Sequence, residues 1–328
     1  MTHVLLLTPP FTQLNTPYPA TAYLKGFLNL KGISSHQADL GIEVINAIFS
    51  SHGLSAVFEE VEQKQPPLSG NAQRILALKP DYLSTIDSVV RFLQGRNPTQ
   101  AHMICQDGFL PEAGRFAQLE NLDWAFGSVG IQDKAKHLAT LYLEDLADFI
   151  TECVDEHFGF SRYGERLGRS AARFDPLHTS LQQEHSLVDR LLVAQLARHI
   201  ARETPQLVLI SIPFPGNLFA ALRCGQWLKR HHPQITVVMG GGFVNTELRS
   251  LSDPRVFEYT DFLTLDDGER PIENLLQYID GQRQLSALCR TFCLLDGKVT
   301  YINHSHEGDY SQSDTGTPDY SDLPQIGR

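Results

Sequence analysis

Residues 235–245 read ITVVMGGGFVN: a short β-branched run that stops in three consecutive glycines. Two other stretches share its form. Residues 207–212 (LVLISI) run into Pro213-Phe214-Pro215-Gly216, and residues 4–7 (VLLL) run into Thr8-Pro9-Pro10-Phe11. Short apolar runs of this kind, closed by turn residues, read as strands buried on both faces of a parallel sheet. In open α/β sheets, ligands bind outside the carboxyl ends of such strands. Each of the three runs ends there in residues that let bare backbone approach a ligand.

Helical periodicity fills the intervals. Tyr23, Leu24, Phe27, Leu28 and Leu30 recur at helical spacing after Pro17 and Pro19, and Gly32 supplies a stop. Residues 33–40 then read as a second strand ending at Asp39. Asn217 is placed as the N-cap of a helix carrying Leu218, Ala221, Leu222, Gly225 and Leu228, which ends in Lys229-Arg230-His231-His232. Residues 259–265 read as a fifth strand, closed by Asp266-Asp267-Gly268-Glu269. Pro271 opens a further helix that stops at Gly281. Strands alternating with single helices predict a doubly wound parallel sheet of five strands in flavodoxin-like order, with right-handed crossovers.

Residues 41–204 interrupt this alternation. Helical stripes dominate there, over 133–154 (Leu138, Leu141, Tyr142, Leu146, Phe149, Ile150, Cys153) and over 181–201 (Leu187, Leu191, Leu192, Leu196, Ile200). A stretch this long is not a loop. The domain reading is therefore an α/β domain over 1–40 and 205–285, a helical insertion over 41–204, and a β-hairpin over 286–306 turned at Asp296-Gly297. An acidic, linker-like tail over 307–328 carries Asp309, Asp314, Asp319 and Asp322.

Composition sets the class. The 328 residues are 42% hydrophobic and 20% charged with a formal net charge of -11, the balance of a globular protein without an electrostatic footprint for nucleic acid. No apolar run reaches the length of about 18 residues that a membrane span needs. Residues 3–8 carry no basic leader or cleavage site, and five scattered cysteines suit reduced thiols, so a cytoplasmic location is expected.

Each candidate site residue also has a plainer role. Gly240, Gly241 and Gly242 fit close ligand contact or a tight turn, and Ser211 fits a donor to a ligand ring nitrogen or a cap. Asp266, Asp267 and Glu269 are ordinary at a helix N-terminus. No G-x-G-x-x-G, Walker loop or G-x-S-x-G elbow occurs, and the prolines after the first strand remove donors that a phosphate would need. Cys289-x-x-x-Cys293 copies half of a C-x3-C-x2-C motif, but Asp296 stands at the third position.

Four segments together resemble the N-terminal, cobalamin-binding half of a radical SAM protein: 5–32 with Asp39, 207–229, 237–245 and 261–276. The tail TPDYSDLP (317–324) resembles the connector ahead of the radical SAM barrel. The resemblance implies a cobalamin site formed by Thr8, Pro9, Pro10, Phe11, Ser211, Pro213, Phe214, Gly216, Gly240, Gly241, Gly242, Phe243 and Glu269. It implies a corrin presented to a C-terminal barrel that would bind SAM and a 4Fe-4S cluster, for methyl transfer or radical rearrangement of a peptide or small molecule. Ser211 and Gly240-Gly241 match two of the three strand-end elements of such domains. The third, D-x-H-x-x-G, is absent: Thr8-Pro9-Pro10-Phe11 stands in its place, and Asp155-x-His157 lacks the glycine because Phe160 occupies it. Cobalamin would then carry no protein histidine on cobalt. A cofactor-free scaffold for substrate recognition and a flavodoxin-like flavin or nucleotide protein are the alternatives.

Overall fold

A computed structural model of the chain describes residues 2–12, 14, 16–118, 130–160, 163–165, 167 and 174–323. Its sheet contains β1 (Val4–Thr8), β2 (Ser35–Asp39), β3 (Leu207–Ser211), β4 (Thr236–Gly240), β5 (Phe262–Thr264), β6 (Thr291–Leu295) and β7 (Lys298–Ile302). The strands lie in the order β2-β1-β3-β4-β5-β6-β7. The first five are parallel, and β6 and β7 are antiparallel. The sheet is therefore mixed and seven-stranded, against the five expected. The hairpin of 286–306 continues it because β6 pairs with β5 through Cys293 opposite Phe262.

Side-chain alternation sorts the strands into two faces. Val4, Leu6, Leu207, Leu209, Val238 and Phe262 form one core with Phe27 and Leu28 of α1 (Ala20–Leu30) and with the helix Glu269–Ile279. Leu5, Leu7, Val208, Ile210, Val237 and Met239 point the other way and are equally buried. On that side lies the helix Pro215–His231. Its Gly225 comes so close that an added Cβ would stand 2.0 Å from the Tyr259 carbonyl. Phe214, not Asn217, is the N-cap of this helix.

Over its described residues the chain divides into two compact units, one within 1–43, 161–184 and 192–323, the other within 44–160 and 185–191. Among the described residues the remaining α-helices are, in chain order, α2 (Leu40–Ile48), α3 (Ser51–Lys64), α4 (Gly70–Ala77), α5 (Lys79–Leu93), α6 (Ala101–Ile104), α7 (Ile131–Cys153), α8 (Asp175–Gln182) and α9 (Leu187–Glu203). Pro215–His231, Gly242–Glu247 and Glu269–Ile279 are then α10, α11 and α12. The stripe expected over 181–201 is thus two helices, broken after Gln182.

Inside the helical unit, α7 buries Leu138, Tyr142, Leu146, Phe149 and Ile150, with Phe149 against Phe58 of α3 and Tyr142 against Tyr82 of α5. Asp145 of α7 is fully buried and accepts the backbone N–H groups of Ala113 and Arg115. Among the described residues no single helix is long and apolar enough to cross a membrane. The bent pair α2–α3 reaches that composition, with Leu54, Val57, Phe58 and Val61 buried.

The tail departs most from its expected character. Residues 307–323 pack on the sheet-bearing unit instead of trailing as a solvated linker. The Asp319 N–H donates to the Ala22 carbonyl (3.0 Å), Gln37 Nε2 donates to the Asp319 carbonyl (2.5 Å), and Leu323 is buried. Linker composition conceals this because the partners lie nearly 300 residues earlier.

Candidate functional site

A cavity of about 340 Å³ opens at the carboxyl end of the parallel strands, between α1 and α12. Leu6, Leu24, Leu209, Val238 and Ile272 give it apolar walls. Gly240, Gly241 and Gly242 line it as β4 turns into α11. The register sets Ser211 beside Gly240, so the ends of β3 and β4 reach it together.

Besides the exposed Tyr23, three hydroxyl-bearing residues line this cavity: Thr21 from α1, Ser211 from the end of β3 and Thr264 from the end of β5. These residues are only 1%, 9% and 5% exposed. Among the described residues none of the three hydroxyls has a hydrogen-bond partner, and Thr21 Oγ1 is also shut off from solvent. A buried hydroxyl without a partner costs about 1–3 kcal/mol. That cost falls on Thr21 Oγ1, whereas the Ser211 and Thr264 hydroxyls are not shut off and are the two that a ligand's polar atoms can reach.

The rim is acidic. Asp266, Asp267 and Glu269 border it, with Glu269 opening α12, where negative charge complements the helix dipole. Asp266 is already engaged: its carboxylate pairs with Arg249, and its N–H donates to Asn245 Oδ1. Among the described residues the carboxylates of Asp267 and Glu269 have no cationic partner. Among the described residues no histidine lines the cavity.

The glycine run has a second explanation. An added Cβ on Gly241 would lie 2.8 Å from the Ile212 carbonyl oxygen, and φ there is +106°. One on Gly240 would meet Thr264 Oγ1 at 2.7 Å, and one on Gly242 the Pro213 carbonyl at 3.0 Å. The protein's own packing therefore requires these glycines, in addition to their place in the cavity wall.

Of the thirteen residues named from sequence, the cavity gathers Ser211, Gly240, Gly241, Gly242 and Glu269. The others lie elsewhere. Thr8, Pro9, Pro10 and Phe11 are buried behind the strand ends, and Asn217 Nδ2 donates to the carbonyls of Pro9 (2.8 Å) and Phe11 (3.1 Å). Phe11 also meets Tyr163 edge-on, and the Gly216 carbonyl accepts from the Tyr163 N–H. Pro213 serves Gly242 as above. Phe214 is half exposed, its ring edge-on to Tyr18. Phe243 is buried and donates its N–H to Ile212 O. A loop read as ligand-contacting is thus internal, because Asn217 ties it down from below.

Sequence reasoning missed Thr21 and Thr264. Thr264 was within reach: it ends β5 as Ser211 ends β3. Thr21 was not, since its role depends on how α1 is rotated against the sheet.

Asp39, at the end of β2, is almost fully buried and accepts the N–H groups of Tyr18 (3.2 Å) and Ile42 (3.1 Å). Burial pushes its pKa up to about 6, beyond what those hydrogen bonds offset. Cys289 and Cys293 are buried thiols that burial pushes up as well. His231 stacks on Trp227 and His232 tilts against it. Asp155 Oδ1 accepts the His157 N–H within its own turn of the helical unit. Among the described residues no group of three or more His, Cys, Asp or Glu side chains is arranged to hold a metal ion.

Comparison of the chain with protein-family models, with curated proteins and with solved structures returns no match.

Proposed function

We propose that the sheet-bearing unit is a cobalamin-binding module whose cofactor enters the cavity at the carboxyl ends of β1, β3, β4 and β5. The observation that carries this reading is the pair of partnerless, solvent-reachable hydroxyls, Ser211 and Thr264, at the strand ends that border one cavity. The order of the five parallel strands, β2-β1-β3-β4-β5, supports a flavodoxin-like core, in which ligands sit at this end of the sheet. Ser211 closing β3 and Gly240-Gly241 closing β4 support the resemblance to cobalamin domains.

The residues fit such a cofactor in a defined way. A volume of about 340 Å³ lies at the small end of ligand cavities, so a molecule of this size places one end inside and rests the remainder on the rim. Ser211 and Thr264 would donate to heteroatoms of the inserted end, and the backbone of Gly240–Gly242 would lie flat against it. Asp267 and Glu269 would accept from amide arms outside. Among the described residues, those that would hold the cofactor include no histidine. Cobalamin, when bound, supplies methyl-transfer or radical-rearrangement chemistry. The SAM and the 4Fe-4S cluster of that chemistry belong to a radical SAM barrel acting on the presented corrin. This chain's share is to bind, orient and shield.

The acidic rim and the buried prolines weigh against a flavin or nucleotide, whose phosphates need amides and positive charge. The test is anaerobic incubation with hydroxocobalamin and, in parallel, FMN, followed by desalting and visible spectroscopy. Retained corrinoid colour that falls about tenfold in S211A is the expected result. A protein that stays colourless with cobalamin overturns the reading, and retention of FMN instead moves it to the flavodoxin-like alternative.

A further inference from the structure

We propose that residues 305–323 act as a clasp on the back of α1, holding in place the helix whose front carries Thr21 and Leu24 into the cavity wall. The contacts run along the whole helix. At its end, Tyr310 packs on Phe27 with ring centroids 5.0 Å apart, under the Lys31 ammonium at 4.4 Å and the Arg270 guanidinium at 4.0 Å. The Tyr310 hydroxyl donates to Glu273 of α12 (2.7 Å), so one ring bridges the two helices that flank the cavity.

In the middle, Gly26 leaves no room for a side chain. An added Cβ would stand 2.2 Å from the Thr317 carbonyl oxygen, so the strap's backbone lies directly on the helix. Nearer the start, the Asp319 N–H bonds to the Ala22 carbonyl, and Asn29 Nδ2 donates to Asp319 Oδ2 at 2.8 Å. Lys25 is the lock. Its side chain is 7% exposed, and its carboxylate partners are Asp322, in direct contact, and Asp319 at 3.9 Å. Asp322 also faces His36 (3.3 Å) and the Gln37 N–H (3.3 Å) of β2. Removing the strap would strand a buried ammonium, which is costly.

These contacts make α1 a helix clamped between sheet and strap. Loosening the strap must therefore loosen the cavity wall, and by linkage whatever fills the cavity must steady the strap. The inference does not depend on which ligand that is.

The test is amide hydrogen exchange on the full chain without ligand. Gly26→Ala wedges the strap away while leaving every charge in place, and it raises the intrinsic helix propensity of α1. The expected result is exchange at least tenfold faster both in 310–323 and at the Phe27 and Leu28 amides, with β3 and β4 unchanged. A second variant, Lys25→Met with Asp319→Asn and Asp322→Asn, removes the lock without stranding a charge and should give the same pattern. A strap that opens while Phe27 and Leu28 keep their protection in either variant overturns the proposal. Because no cofactor is present, this outcome is independent of the cobalamin reading.

Discussion

The carbonyl of Ile212 occupies the space where a side chain on Gly241 would stand. An added Cβ would lie 2.8 Å from that oxygen, and the Phe243 N–H donates to it at 3.0 Å. The turn after β4 is thus folded onto the loop after β3 before any ligand arrives. Gly241→Ala must bear both the clash and a φ of +106°. It should destabilise the sheet-bearing unit by about 3 kcal/mol, read as a shift in denaturant midpoint at constant slope.

Gly240 and Thr264 form a second such pair, at 2.7 Å between an added Cβ and Oγ1. Gly240→Ala alone should cost about 1–2 kcal/mol through overpacking, and Thr264→Ala should relieve it. A double-mutant cycle should return a favourable coupling of about 1 kcal/mol. Strict additivity would mean that the two residues do not touch.

Thr21 carries a solvent-inaccessible hydroxyl with no partner. Thr21→Val keeps the shape and removes the orphan, so the empty protein should gain about 1 kcal/mol. The same change should leave hydroxocobalamin retention unaltered, because no water-sized group reaches this hydroxyl from the cavity. Chemical denaturation beside a binding titration measures both.

Asn217 is wholly buried and holds the Pro9 and Phe11 carbonyls. Asn217→Ala leaves both acceptors unpaired and should cost about 2–4 kcal/mol. Its effect on ligand affinity should be small beside that of S211A, because the loop it secures is not part of the cavity wall.

Asp39 gives a pH dependence of unusual sign. Its pKa is about 6 in the folded chain against 3.8 ordinarily, so the native state binds the proton more tightly than the unfolded chain. Stability contributed by this group is present at low pH and is lost as pH rises from about 4 to 6, by up to about 3 kcal/mol. Subtracting the profile of Asp39→Asn from that of the wild type isolates the effect. A flat difference across that window would show that Asp39 titrates normally.

The amino-acid order alone determined the alternation of strands and helices, because period 2, period 3.6 and the glycine and proline stops are local properties of the chain. It placed Ser211, the glycine run and Glu269 at strand ends and thus at one end of the sheet. It did not determine that the hairpin would extend the sheet, since strand pairing is a non-local hydrogen-bonding choice. Nor did it reveal that Thr8–Phe11 would be sealed inward by Asn217, more than 200 residues later. The acidic tail is the clearest case. By composition it has little to bury, yet Lys25, Gly26 and Gln37 give it partners. Only tertiary structure decided that Thr21 and Thr264 face the same cavity as Ser211, because the rotation of a helix on a sheet is set by the packing of both surfaces.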